Sequence, residues 1–155
     1  MFRRRRAARA LAPLLVTVLV AAGCSGGDAV EAQASADPFT EPVTITNCER
    51  EATYTEPPQR IITMNHHVTE TLVQMGVGDR IIGRAYVDRE TEVLPEVADR
   101  VEAIPALAEE YPTWEQIRDL EPDLVVGGMR SAFDEKEGRS RDALEAAGIH
   151  TFLFS

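Results

Sequence analysis

Residues 112–128 read P-T-W-E-Q-I-R-D-L-E-P-D-L-V-V-G-G, and this stretch decides the fold. Thr113 and Gln116 stand at the spacing of a capping box, in which hydroxyl and amide satisfy free backbone groups of a first helical turn. A short helix to Leu120 is expected. Pro122 cannot continue it. Asp123 to Gly127 then follows as an unbroken apolar run, the pattern of a strand buried on both faces. Such a strand needs parallel neighbours and helical cover on either side.

Outward from this block, strand and helix signals alternate. Val43 to Thr46 and Ala52 to Thr55 alternate apolar and polar around Asn47-Cys48-Glu49-Arg50, which predicts an exposed hairpin closed by Pro57-Pro58. Arg60 to Met64 is a short apolar strand. Val68 to Met75 places Leu72, Val73 and Met75 near helical spacing before Gly76, a helix stop, and Arg80 to Gly83 is a further strand. Tyr86 to Tyr111, broken by Pro95 and Pro105, reads as an irregular segment of the kind that carries function. Downstream, Asp134 or Ser140 starts a helix with Ala143, Leu144 and Ala147 before Gly148, and Thr151 to Phe154 is the last strand. The expected architecture is a three-layer α/β lobe with a mostly parallel sheet and a short N-terminal β-hairpin. Ligands of such sheets sit beyond the carboxyl ends of strands. Here those ends are Met64-Asn65-His66-His67, Gly83-Arg84-Ala85-Tyr86 and Gly127-Gly128-Met129-Arg130-Ser131.

The beginning of the chain is an address. Five arginines lie within Met1 to Ala10, an apolar stretch runs from Leu11 to Ala22, and L-V-A-A-G-C ends at Cys24. These are the parts of a secretory signal, and the stretch is too short for the roughly 18 to 20 residues that span a bilayer. The small-small-Gly-Cys pattern resembles the lipobox of bacterial lipoproteins, although Ala21 departs from the usual Leu, Val or Ile. The resemblance implies a signal peptide over 1–23, acylation of Cys24 and attachment to the outer face of the cell membrane. The alternative is an ordinary signal cut near Ala34. Residues 24–40, rich in Ala, Ser, Gly and Asp, read as a flexible tether, leaving 41–155 as the folded part, about 115 residues and a single modest core.

Composition narrows the partners. After Cys24 the chain carries 11 basic residues against all 26 acidic ones, a formal charge of −15. Nucleic acid is excluded, because binding it requires a basic face that displaces counterions. An enzyme is poorly supported: there is no G-x-S-x-G, no phosphate-binding glycine loop and no Cys-His pair at a plausible spacing. Glu109-Glu110 is a solvated face.

The succession V-T-I-T-N-C, P-P-Q-R-I-I-T-M-N, T-E-T-L-V-Q-M-G-V-G-D-R-I-I-G and P-T-W-E-Q-I-R-D-L-E-P-D-L-V-V-G-G resembles the substrate-binding proteins of ABC importers for ferric siderophores and cobalamin. The resemblance covers Val43 to Ser155. It implies one half of a two-lobe, helix-bridged binding protein that captures a ferric siderophore outside the membrane and delivers it to a permease and its ATPase, with no cofactor and no catalysis. Carried over residue by residue, it places Asn65, His66, Tyr86, Tyr111, Gly128, Met129, Arg130 and Ser131 at the rim of a ligand cleft. Tyrosine and arginine suit a ferric siderophore through stacking and charge-assisted hydrogen bonds. Glu115 is implied to dock onto arginines of the permease; an acid in a first helical turn is also stabilising without any partner.

Adjacent His66 and His67 suggest a second reading, a zinc or manganese importer component. Zinc needs three or four ligands, and the remaining histidine, His150, lies at the last strand, so no metal site is assigned within this chain. The resembling proteins often carry a cysteine shortly after the strand that ends here at Ser155. Cys48 is therefore expected to be a free or intermolecularly paired thiol, and the chain is expected to be a truncated form lacking the C-terminal lobe.

Overall fold

A computed structural model describes residues 37–87 and 93–154. The expected signal peptide 1–23, Cys24 and most of the expected tether 24–40 lie outside the described residues. None of the described helices is long and apolar enough to cross a membrane.

Two strands, β1 (Val43–Asn47) and β2 (Arg50–Tyr54), pair antiparallel as the expected hairpin. Four more form a parallel sheet in the order β4-β3-β5-β6: β3 (Ile61–Thr63), β4 (Ile81–Arg84), β5 (Leu124–Gly127) and β6 (His150–Leu153). Four helices connect them: α1 (His66–Gln74), α2 (Ala98–Glu102), α3 (Trp114–Asp119) and α4 (Arg141–Ala146). The capping box at α3 is present, with Gln116 N–H donating to the Thr113 hydroxyl and Thr113 N–H to the Gln116 amide. Ser140, rather than Asp134, caps α4.

The three layers follow from side-chain alternation along the strands. Ile61 and Val126 point to one face and meet Val68, Leu72 and Val73 of α1 and Val101 of α2. Ile62, Met64 and Val125 point to the other and meet Ile117 of α3 and Leu144 of α4. One apolar run thus feeds two cores. Gly127 permits close cover at the end of β5: a Cβ there would stand 2.6 Å from the Phe133 ring and 2.9 Å from Ala132 Cβ.

Two details differ from the sequence reading. Helix α1 begins at His66 rather than Val68, because buried Asn65 is its N-cap residue and Val68 N–H and Thr69 N–H both donate to Asn65 O. Helix α2 forms inside the segment read as irregular. Its short length hides the 3.6-residue period, and burial of Val97, Val101 and Ile104 against α1 stabilises it.

The hairpin is attached to the edge of the sheet through Asn47. Its amide donates to Leu153 O at 3.0 Å and accepts from Leu153 N–H at 2.8 Å, supplying the free edge of β6 with a substitute strand partner. Arg141 completes the attachment, donating to Asn47 O, to Thr151 O and to the Thr151 hydroxyl. Outside it, Arg50 binds Asp142 and Glu145, and the guanidinium holds the Asp142 carboxyl below its ordinary range.

The hairpin turn carries strain. Cys48 and Glu49 have φ of 50° and 65°, both left-handed, as the two-residue turn of a twisted hairpin requires. Non-glycine residues accept that region at a cost of about 1–2 kcal/mol each. Replacing Cys48-Glu49 by Asn-Gly should therefore raise unfolding free energy by about 1 kcal/mol, measured by urea denaturation; an unchanged or lowered midpoint would contradict it.

Candidate functional site

Chain connections leave β3 and β5 in opposite directions, β3 running on to β4 and β5 to β6 on the other side. A crevice beyond the carboxyl ends of those two strands is the place where open α/β sheets bind ligands. Asn65, the second residue after β3, spans it. Its carbonyl oxygen accepts from Gly128 N–H at 2.7 Å, and its amide nitrogen donates to the Tyr111 hydroxyl at 3.2 Å. That hydroxyl also shares a hydrogen with Ser131 Oγ at 3.0 Å. Four of the residues expected at the cleft, Asn65, Tyr111, Gly128 and Ser131, therefore belong to one hydrogen-bonded unit. Asn65 is its buried centre rather than part of an open rim.

Tyr86 stands over this unit. Its ring lies 5.1 Å from that of Tyr111, tilted by 43°, within the range of favourable aromatic pairs. Its backbone is left-handed at φ 55° and is held there by Tyr86 N–H donating to Glu110 O at 2.7 Å and Ala85 N–H to Thr63 O at 2.8 Å. A bulky residue in that region is strained by about 1–3 kcal/mol and persists only where its surroundings impose it. The result presents an aromatic ring 37% exposed beside a half-buried one. Met129, Arg130 and Ser131 are exposed on the neighbouring 3-10 turn.

The two histidines part company, being on a helix rather than a loop. His66 turns inward, with Nε2 3.6 Å from Glu70 Oε1, outside hydrogen-bond distance; that oxygen accepts instead from Leu94 N–H. His67 is exposed and packs on Gly128, where a Cβ would stand 2.2 Å from its Nε2. Among the described residues, no group of three His, Cys, Asp or Glu could hold a metal ion. Glu115 is exposed in the first turn of α3. Cys48 is half-buried and forms no disulfide among the described residues.

One neighbour escaped the sequence reading. The guanidinium carbon of Arg139 lies 5.2 Å from the centroid of the Tyr111 ring, a cation–π contact. A G-R-S-R tetrapeptide ahead of a helix carries no signal that would set it apart from solvated loop. An open groove of about 590 Å³ lies toward the hairpin, lined by Cys48, Arg50, Arg130, Phe133 and Arg141, and shares Arg130 with the candidate cleft. We assign the site by the switch point and the aromatic pair, because a ligand surface on one lobe is a face rather than an enclosed volume.

No family model matches the sequence, and no curated protein does. Solved structures do. A periplasmic binding protein from Veillonella parvula superposes with a TM-score of 0.67 at 27% identity, over 80% of this chain and 40% of its own. A structure described as an ABC-type Fe3+-hydroxamate transport system, from Saccharomonospora viridis, gives 0.58 at 33% identity over 72% and 39%. The iron uptake substrate-binding protein PiuA of Streptococcus pneumoniae, at 24% identity and a TM-score of 0.53, shares the fold over 78% and 38%. The chain spans about two fifths of the length of these structures. The resemblance read in the sequence thus extends to three dimensions, over one α/β lobe of such binding proteins.

The unit around Asn65 predicts a specific sensitivity. Asn65→Leu keeps the volume but strands Gly128 N–H, at a cost of about 1–3 kcal/mol, and leaves the Tyr111 hydroxyl bonded to Ser131 alone. We expect a loss of about 1–3 kcal/mol in urea denaturation, together with a changed near-ultraviolet tyrosine signal; native stability in that variant would dissolve the unit.

Proposed function

We propose that this chain is the ligand-capturing part of an ABC importer, working outside the cytoplasmic membrane on a ferric siderophore or related iron chelate. The observation that carries the reading is the strained, exposed Tyr86 ring paired with Tyr111 over the switch point of the sheet. The likeness at 33% identity to an Fe3+-hydroxamate transport structure supports the ligand class. On this reading the chemistry is binding, with no bond made or broken and no cofactor. The aromatic faces stack on the chelate, while Arg130, Ser131 and the backbone of Gly128 and Met129 meet its polar edge. Acylated Cys24 and the segment after it tether the lobe to the membrane, and the partners are the permease and its ATPase. Glu115, exposed at the first turn of α3, docks onto permease arginines.

A second reading, zinc or manganese import, draws on His66, whose Nε2 is enclosed without a hydrogen-bond partner and faces Glu70. One titration separates the two. Trp114 stands three residues from Tyr111 and reports on its surroundings. Ferric siderophores should quench its fluorescence with a Kd on the order of micromolar or below, while zinc produces no tight binding. Zinc binding without any response to ferric chelates would replace the first reading with the second. In the assembled transporter, Glu115→Lys should cut uptake by about tenfold or more without changing ligand affinity; unimpaired uptake would remove the docking role.

A further inference from the structure

Open strand edges invite pairing with other chains, and folded proteins usually blunt them with charge, proline, bulges or cover. Among the described residues this molecule does so at three edges. The end of β4 is covered, since Arg84 N–H donates to Pro105 O and Leu107 N–H to Arg84 O. The edge of β6 is capped by the Asn47 amide and by Arg141. Strand β2 carries Arg50 and Glu51, and Thr55 O just beyond it accepts from Phe39 N–H. Strand β1 is the exception. Its sequence V-T-I-T-N holds four consecutive β-branched residues and neither charge nor proline, it pairs with β2 without a bulge, and it has no second strand neighbour. Its first four residues are exposed, Val43 and Ile45 at 40% each. The two-residue turn closes on the Asn47–Arg50 pair, so by ladder alternation Val43 and Ile45 bond to β2 while N–H and C=O of Thr44 and Thr46 point away from it. No backbone group among the described residues reaches them.

We infer that the outer edge of β1 is a contact between two copies of this chain, which pair their β1 strands antiparallel about a twofold axis at Ile45. The core T-I-T reads the same in both directions, so each copy offers the other its own pattern. In that register Thr44 and Thr46 exchange backbone hydrogen bonds with the partner's Thr46 and Thr44, and Ile45 faces the partner's Ile45 across a non-hydrogen-bonded pair, where side chains come closest. Charge favours this strip over others. The chain carries a formal −10, so two copies repel over most of their surfaces, whereas pairing at β1 sets no like charges opposite each other. The two-stranded hairpin, marginal by itself, becomes part of a wider sheet. An isologous contact closes on itself and stops at two copies. It is small, hence weak and reversible. The inference is independent of the importer reading.

Sedimentation equilibrium of the full chain under reducing conditions should show monomer and dimer with a Kd on the order of 100 μM. The dimer should tighten severalfold between about 20 and 300 mM salt, as the repulsion of the acidic surfaces is screened. Ile45→Lys sets two ammonium groups face to face and should weaken it by about tenfold or more, while Thr53→Lys on β2 leaves it within about twofold. Register is read by crosslinking. With Cys24→Ser and Cys48→Ser removing both native thiols, Ile45→Cys should give a disulfide-linked dimer on mild oxidation. Val43→Cys should not, because its counterpart lies about 14 Å away along the paired strands. A monomer persisting at about 1 mM, native affinity in Ile45→Lys, or crosslinking by Val43→Cys in place of Ile45→Cys would each overturn the inference. So would protection of the Thr44 and Thr46 amides from hydrogen exchange in dilute, monomeric chain, since the edge would then be covered within one copy. None of these outcomes touches the importer reading, which the Trp114 titration tests.

Discussion

The side chain of Asn65 is the constraint on which the rest of the site depends. It lies at the point where the sheet's connections diverge, and it ties the end of β3 to the end of β5 through Gly128 and to the approaching loop through Tyr111. Without such a link, parallel strands at a switch point have no backbone partner beyond their last ladder bond. With it, the loop that carries Tyr111 is fixed against the sheet, Ser131 is fixed against Tyr111, and Tyr86 has a surface to lean on. Because Asn65 is buried, an unmet polar group on its side chain would be costly.

A second asparagine performs a matching task at the β6 edge of the sheet. Asn47 bonds both backbone groups of Leu153 and so joins a two-stranded hairpin, marginal by itself, to the edge of the parallel sheet. Arg141 makes that joint from the opposite side, with each guanidinium nitrogen donating to an oxygen of β1 or β6.

Much of this was legible from the residues. The hairpin announces itself through a period of two, the parallel strands through short apolar runs between stop signals, and the capping box through the spacing of Thr113 and Gln116. Helix α2 did not, since a five-residue helix shows too little of its period, and its burial is conferred by α1. Of the candidate site, the presence of Asn65, Tyr86, Gly128 and Ser131 at strand ends was readable, whereas Tyr111 was placed at the cleft by the family resemblance alone. The internal hydrogen bonding of four of them was not, nor was the divergence of His66 toward Glu70 and His67 toward Gly128.

The sequence by itself determined the strands and most of the helices, and which faces of them are apolar, because those properties arise from the geometry of neighbouring residues along one backbone. Only the tertiary structure decided which polar groups find partners. Arg139 and Arg141 are two residues apart and chemically identical, yet one meets Thr151 and Asn47 while the other meets a tyrosine face. Those partners come from strands and loops far away in the chain, and no local pattern encodes a meeting that the packing of the whole lobe brings about.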